Sequence, residues 1–271
     1  HCRIRSRVRL MNFQKILTQY SDDWVYNSLG IENLNPNGAC RLKHWFSHAR
    51  NNHTKLHGDI FEIGVYKGGG TIAMALQLKM LNSNKKVYAF DSFSGFPAYH
   101  QNDDFRTFAE RPDLFDAELQ GQARLCKEIA EWRLGVTATA ANISTSGDFS
   151  DGSRELFESR LNAFGLDNVE IIEGDFKETI PEFMNTFTGS VFSANIDCDL
   201  YDGYRVSLGA IYPVAVKGAM IYLDEYYSLK FPGPRVAVSE FLEEMKESVT
   251  LLSDDENDFQ RWAILKQDQD D

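Results

Sequence analysis

From about residue 59 onward, short apolar runs rich in β-branched and aromatic residues alternate with stretches whose apolar positions recur at three- and four-residue spacing. The first pattern suits strands buried on both faces, and the second suits helices with one apolar face. Their alternation predicts an α/β fold with a mostly parallel sheet sandwiched between helices. Strands are expected at 59–64, 86–91, 168–173, 191–197 and 219–224, with a closing pair near 248–252 and 259–266. The acidic connection 253–258 between the closing pair can turn an antiparallel hairpin but is too short for a parallel crossover. Helices are expected between the strands, notably at 69–81, 153–164, 203–212 and 235–247.

Two stretches depart from this rhythm. An insertion at about 94–150, with a helix expected near 116–132, exceeds a simple connection, and long insertions commonly serve as lids or binding loops. Residues 1–57, with Trp24, Tyr26, Trp45 and Phe46, read as a helical amino-terminal segment packing over the same rim, and as a candidate contact in a homo-oligomer. The main domain is then 58–271.

Composition narrows the class. With 271 residues, 43% hydrophobic and 25% charged, the chain can bury a core without disulfides. Cys2, Cys40, Cys126 and Cys198 are scattered and lack metal-site spacing, which predicts reduced thiols. A net charge of −12 argues against a nucleic-acid surface, whose affinity rests on clustered Lys and Arg. The basic opening from His1 to Arg9 reads as a surface arm, with no apolar run long enough for a signal peptide or membrane span, so a cytoplasmic location with no membrane partner is expected.

The chemistry gathers at expected strand ends. Glu62 to Thr71 forms a glycine-rich turn between the first strand and the first long helix. It lacks the dinucleotide spacing, and Gly70 stands where a phosphate loop needs its lysine. Glu62 suits a cationic ligand better than a phosphate. Asp91 ends the second strand about 20 residues after Gly69, the spacing at which an acid reaches a ribose hydroxyl. Asp175, then Asp197 and Asp199, then Asp224 and Glu225 follow later strands. Ligands of open α/β sheets bind outside the carboxyl ends of the strands, so these acids should converge on one rim. Clustered carboxylates repel unless a proton or cation compensates, and an oxygen-only set suits Mg²⁺, Mn²⁺ or Ca²⁺.

These residues resemble a known family. GDIFEIGVYKGG at 58–69, FDSFSGFP at 90–97, GDFKETIP at 174–181, DCDLY at 197–201, and DEY at 224–226 followed by RVAV at 235–238 are similar to the macrocin-type sugar O-methyltransferases. The resemblance implies a Rossmann-like class I methyltransferase sheet of seven strands, the last antiparallel. It implies S-adenosylmethionine as cofactor, with Glu62, Gly64, Gly68 and Gly69 at its methionine end, Asp91 at its ribose, and Asp175 and Phe176 near its adenine. Tyr66, Thr71 and Ser92, from the same motifs, complete the expected cofactor site. It further implies a divalent metal on Asp197, Asp224 and Glu225, although the family's acidic pair is usually Asp-Asp.

The expected reaction is methyl transfer to a hydroxyl of a sugar or glycosylated metabolite, with two vicinal oxygens of the acceptor chelating the metal. Asp197 and Asp199 are the expected catalytic acids, and Asp199, His57 and His100 the candidate bases. Tyr66 could rest its ring near the sulfonium. Tyr201 and Arg235 are divided between packing and the rim. A catechol-like acceptor, a metal-dependent hydrolase and a non-catalytic binding protein of the same fold are the rival readings.

Overall fold

The computed structural model describes residues 41–254 and 259–267. Residues 1–40, with Trp24, Tyr26, the basic opening, Cys2 and Cys40, lie outside the described residues, as do 255–258 of the acidic connection. The strands are β1 (Asp59–Ile63), β2 (Val87–Asp91), β3 (Val169–Glu173), β4 (Val191–Ile196), β5 (Ala215–Leu223), β6 (Thr250–Ser253) and β7 (Arg261–Leu265). They form one seven-stranded sheet ordered β3-β2-β1-β4-β5-β7-β6. β1 to β5 pair in parallel, while β7 runs antiparallel to both β5 and β6.

Helices α1 (Lys43–Asn52), α2 (Gly69–Met80), α3 (Thr107–Glu110), α4 (Ala117–Leu134), α5 (Arg154–Phe164), α6 (Phe176–Met184), α7 (Tyr201–Val214) and α8 (Gly233–Met245) complete the described elements with one short 3-10 turn at Gln101–Asp103. The strand pleat sends alternate residues to opposite faces. Ile60, Val87, Ala89 and Phe192 therefore pack with Trp45, Ile72, Met74 and Phe157 of α1, α2 and α5. Phe61, Phe90, Ala194 and Ile196 pack with Ile180, Tyr204, Leu208 and Phe241 of α6, α7 and α8. The apolar continuity of the central strands follows from this double coverage.

The strands and the helical rhythm stand where the pattern puts them, with two differences. β5 starts at Ala215, four residues before the expected start, because Pro213 brings α7 to its end and the chain enters the sheet at once. Helix α6 is an element beyond those expected: Phe176, Ile180, Phe183 and Met184 have helical spacing, but Pro181 lies inside it and is a helix-breaking signal. Among the described residues no helix is long and apolar enough to cross a membrane.

Candidate active site

The chain steps outward from β1 through β2 to β3, then returns to lay β4 on the other side of β1. At such a reversal the connections leaving β1 and β4 diverge to opposite faces and open a crevice. A cavity of about 1040 Å³ lies there. Ligand sites span roughly 300–1,000 Å³, so it has room for a cofactor and an acceptor together.

The floor is built by β1 and β4. Gly64 leaves β1 with φ +89, and a Cβ there would lie 1.9 Å from the carbonyl oxygen of Asp197. Only glycine permits the two strand ends to approach so closely. Glu62 and Asn195 are register partners on these strands and face α2. Asn195 donates to Glu62 at 3.1 Å, and the Thr71 hydroxyl donates to its other oxygen. Burial drives the Glu62 carboxyl up to about 7 despite those two donors, with Asp197 adding to the rise.

Asp91 organises the glycine turn. Its Oδ2 accepts the backbone N–H groups of Val65 and Tyr66, both at 2.7 Å, and its Oδ1 accepts that of Phe93 at 2.7 Å. Ser92 donates to the Gly95 carbonyl at 2.8 Å, turning the chain into the insertion. Asp175 caps α6 by accepting from the Lys177 N–H at 2.9 Å, and Phe176 follows on the cavity wall. Tyr66 and Lys67 reach across to Asp151 at 2.7 and 2.6 Å, clasping the end of the insertion to the glycine turn.

At the opposite side, Asp197, Asp199 and Glu225 each offer a carboxylate oxygen, and those oxygens lie within 4.8 Å of one another. Burial first, then the neighbouring acids, pushes Asp199 well above the usual carboxylate range; Glu225 rises for the same leading reason. Tyr204 fixes the geometry from below, donating to the Ile196 carbonyl at 2.7 Å and accepting the Glu225 N–H at 3.0 Å. Asp224 lines the same cavity. Its Oδ2 takes a hydrogen bond from Arg41, whose second guanidinium nitrogen donates to Asp197 at 2.7 Å. Burial opposes the Arg41 charge, but Asp197 and Asp224 more than offset it.

The expected site residues divide between the cavity lining and its surroundings. Asp197, Asp199 and Glu225 offer carboxylate oxygens within 4.8 Å of one another, while Asp224, expected beside Asp197 and Glu225 as a metal ligand, lines the same cavity with its carboxylate held by Arg41. Gly68 and Thr71 do not line the cavity. Gly68 lies against the Phe157 ring, where a Cβ would come within 2.2 Å, and Thr71 is fully buried behind Glu62. His57 is exposed away from the cavity, and His100 stacks on Tyr201 and caps the 3-10 turn, so neither candidate base reaches it. Tyr66 spends its hydroxyl on Asp151, and Tyr201 bonds Glu240 at 2.6 Å. Arg235 donates to the Leu114 carbonyl and lies over Tyr226, outside the cavity lining. Arg41 and Asn195 escaped the sequence reading. Asn195 is legible in principle as a polar residue inside an apolar strand; nothing local marks Arg41, which arrives from outside the sheet.

The sheet order, the antiparallel β7 and the crevice beside β1 and β4 define a Rossmann-like class I methyltransferase fold. Solved structures of that fold are similar throughout. The O-methyltransferase NovP is 20% identical with a TM-score of 0.59, covering 85% of this chain and 81% of its own. CalS11, a calicheamicin methyltransferase, is 19% identical with a TM-score of 0.59, covering 97% and 92%. An apo structure of CalS11, described as a TDP-rhamnose 3'-O-methyltransferase, gives 19%, 0.51, 87% and 86%. No curated protein sequence matches the chain. The macrocin-O-methyltransferase (TylF) family matches residues 12–115 and 144–256, most of the sequence, and the chain belongs to that family.

Proposed function

We propose that the chain transfers a methyl group from S-adenosylmethionine to a hydroxyl of a sugar or glycosylated small molecule, at a site that also takes a divalent cation. The observation that carries this reading is the single cavity in which the glycine turn and Asp91 face the Asp197, Asp199 and Glu225 cluster.

On the cofactor side, the glycine turn admits backbone close to a ligand, and Asp91 holds that turn in shape. Asp91 Oδ1 accepts one hydrogen bond and keeps a lone pair for a ribose hydroxyl. Glu62, held by Thr71 and Asn195, sets a carboxyl near the methionine end, where a cationic ligand favours its ionised form. Asp175 and Phe176 offer a polar edge and an apolar face to the adenine.

On the acceptor side, the donor set fits a hard cation: three clustered carboxylates with no His or Cys among them. Asp224, on the same wall, is paired with Arg41 through Oδ2 and with Arg261 through Oδ1 at 3.9 Å. When bound, a divalent cation lowers the pKa of a hydroxyl placed on it. Asp197, Asp199 and Glu225 would hold it. Asp199, the most enclosed of the three, has a second oxygen able to take the proton that the acceptor hydroxyl releases. No histidine lines the cavity among the described residues.

The test combines binding and turnover. A thermal shift series with S-adenosylmethionine, a nicotinamide cofactor and ATP, each with Mg²⁺ or chelator, should show stabilisation by the first alone. A hundredfold excess over Kd adds about 2.7 kcal/mol. Asp199→Asn should lower methyl transfer to sugar acceptors by roughly 10²- to 10⁴-fold with that stabilisation intact. Stabilisation by ATP instead, or full turnover in Asp199→Asn, would overturn the reading.

A further inference from the structure

The family match stops at residue 115 and resumes at 144, so helix α4 belongs to a stretch that the family pattern leaves out. Its inner face is ordinary core: Leu119, Ala123 and Ala130 are buried. Its outer face is not an ordinary surface. Leu125 is 57% exposed, Ile129 57% and Trp132 86%, and Val136, just past the helix end, is 60% exposed. Residues 125, 129 and 132 recur at helical spacing, so they form one apolar stripe along the outside of α4. A tryptophan so exposed beside two aliphatic residues marks an interaction surface more than a solvated face.

The residues flanking the stripe indicate what covers it. Arg124 and Glu128 lie along one edge, both exposed, and among the described residues the ion pairs formed do not include either. Gln122 and Arg133 lie along the other edge. When two copies of a helix pack antiparallel about a two-fold axis, each edge meets the same edge of its mate. In the register that sets Leu125 against Ile129 of a second copy, and Ile129 against Leu125, Arg124 comes opposite Glu128 of that copy, twice over. Arg133 then comes opposite Gln122 rather than a like charge. Trp132 falls over Gly121, where the space beside the Cα is open for 4 Å.

We propose that the outer face of α4 is the contact between two copies of this chain, packed antiparallel through Leu125, Ile129 and Trp132. An anionic membrane fits this face less well: the helix carries three acids and three bases, and the chain as a whole carries −12. The contact runs along about 17 Å of helix, from Gly121 to Trp132. That is smaller than a standard interface of about 800 Å² per partner, so a dissociable dimer is expected.

Sedimentation of the full chain over a concentration series tests this. The wild type should pass from monomer to dimer as concentration rises, and Ile129→Glu or Trp132→Ser should weaken dimerisation at least about tenfold with thermal unfolding unchanged, since both side chains face solvent in the monomer. The charge pair gives the register: Arg124→Glu and Glu128→Arg should each weaken the dimer, and the two combined should restore it. A chain monomeric at every concentration, a dimer unmoved by the stripe variants, or a wild-type monomer that instead floats with phosphatidylglycerol vesicles would overturn the proposal.

Discussion

Glu62 concentrates the physics of the site in one residue. It sits on β1, inside the sheet, because its neighbour across the strand is Asn195 and because Thr71 closes over it from α2. An isolated buried charge would be prohibitive, and the carboxyl answers by keeping its proton up to about pH 7. The unfolded chain releases that proton near 4.5. The native state therefore binds more protons between those values. The resulting stability is fully present below about 4.5 and lost as pH rises through about 7, a change of roughly 3 kcal/mol. Glu62→Gln should flatten that decline, as measured by urea unfolding at pH 5 and pH 8; an unchanged slope would show that the carboxyl titrates normally. Gly64 is a second residue with no substitute, because the carbonyl of Asp197 occupies the space of its missing side chain.

Among the elements, α5 and α6 carry side-chain start signals, whereas α2, α7 and α8 begin without one. Ser153 caps α5, accepting the Leu156 N–H at 3.2 Å, while Asp175 caps α6 in the same manner at Lys177. The two caps differ in their surroundings. Asp175 lines the cavity and Ser153 does not. Ser153→Ala should cost about 1 kcal/mol of stability and leave S-adenosylmethionine affinity unchanged, whereas Asp175→Ala should cost a similar amount and weaken that affinity. Calorimetry of both variants separates the two roles, and equal affinities would remove Asp175 from the cofactor site. Helix α6 carries Phe176, Ile180, Phe183 and Met184 at helical spacing, and its internal Pro181 is the one local signal that argues against a helix there. α2 was visible from its length and its leading glycines, although it is buried nearly all round, from Thr71 to Leu78.

At the scale of the molecule, Arg41 joins the segment before α1 to the ends of β4 and β5. Its guanidinium bridges Asp197 and Asp224, and Tyr222 of β5 donates to its backbone carbonyl. Its charge compensates acids that a divalent cation would also compensate. Arg41→Met should lower stability in chelator by about 1 to 3 kcal/mol, a figure tempered by the 49% exposure of the arginine side chain. The same variant should gain more in melting temperature from Mg²⁺ or Mn²⁺ than the wild type does. An equal gain would mean that arginine and ion act at separate places.

The division between what was legible in the chain and what was not follows the range of the forces involved. Strand and helix rhythm, the closing antiparallel pair, the glycine turn and an acid at each strand end are local properties, written in residues a few positions apart, and the sequence alone determined them. How those acids are grouped was decided only by the folded structure. Asp224 and Glu225 are adjacent in the chain, yet one points to Arg41 and the other to Asp197 and Asp199. That choice rests on Tyr204 from α7 and Arg41 from before α1, partners that reach the site only after the sheet has brought distant segments side by side. No local period encodes such a meeting, because it depends on register and packing between elements far apart in sequence.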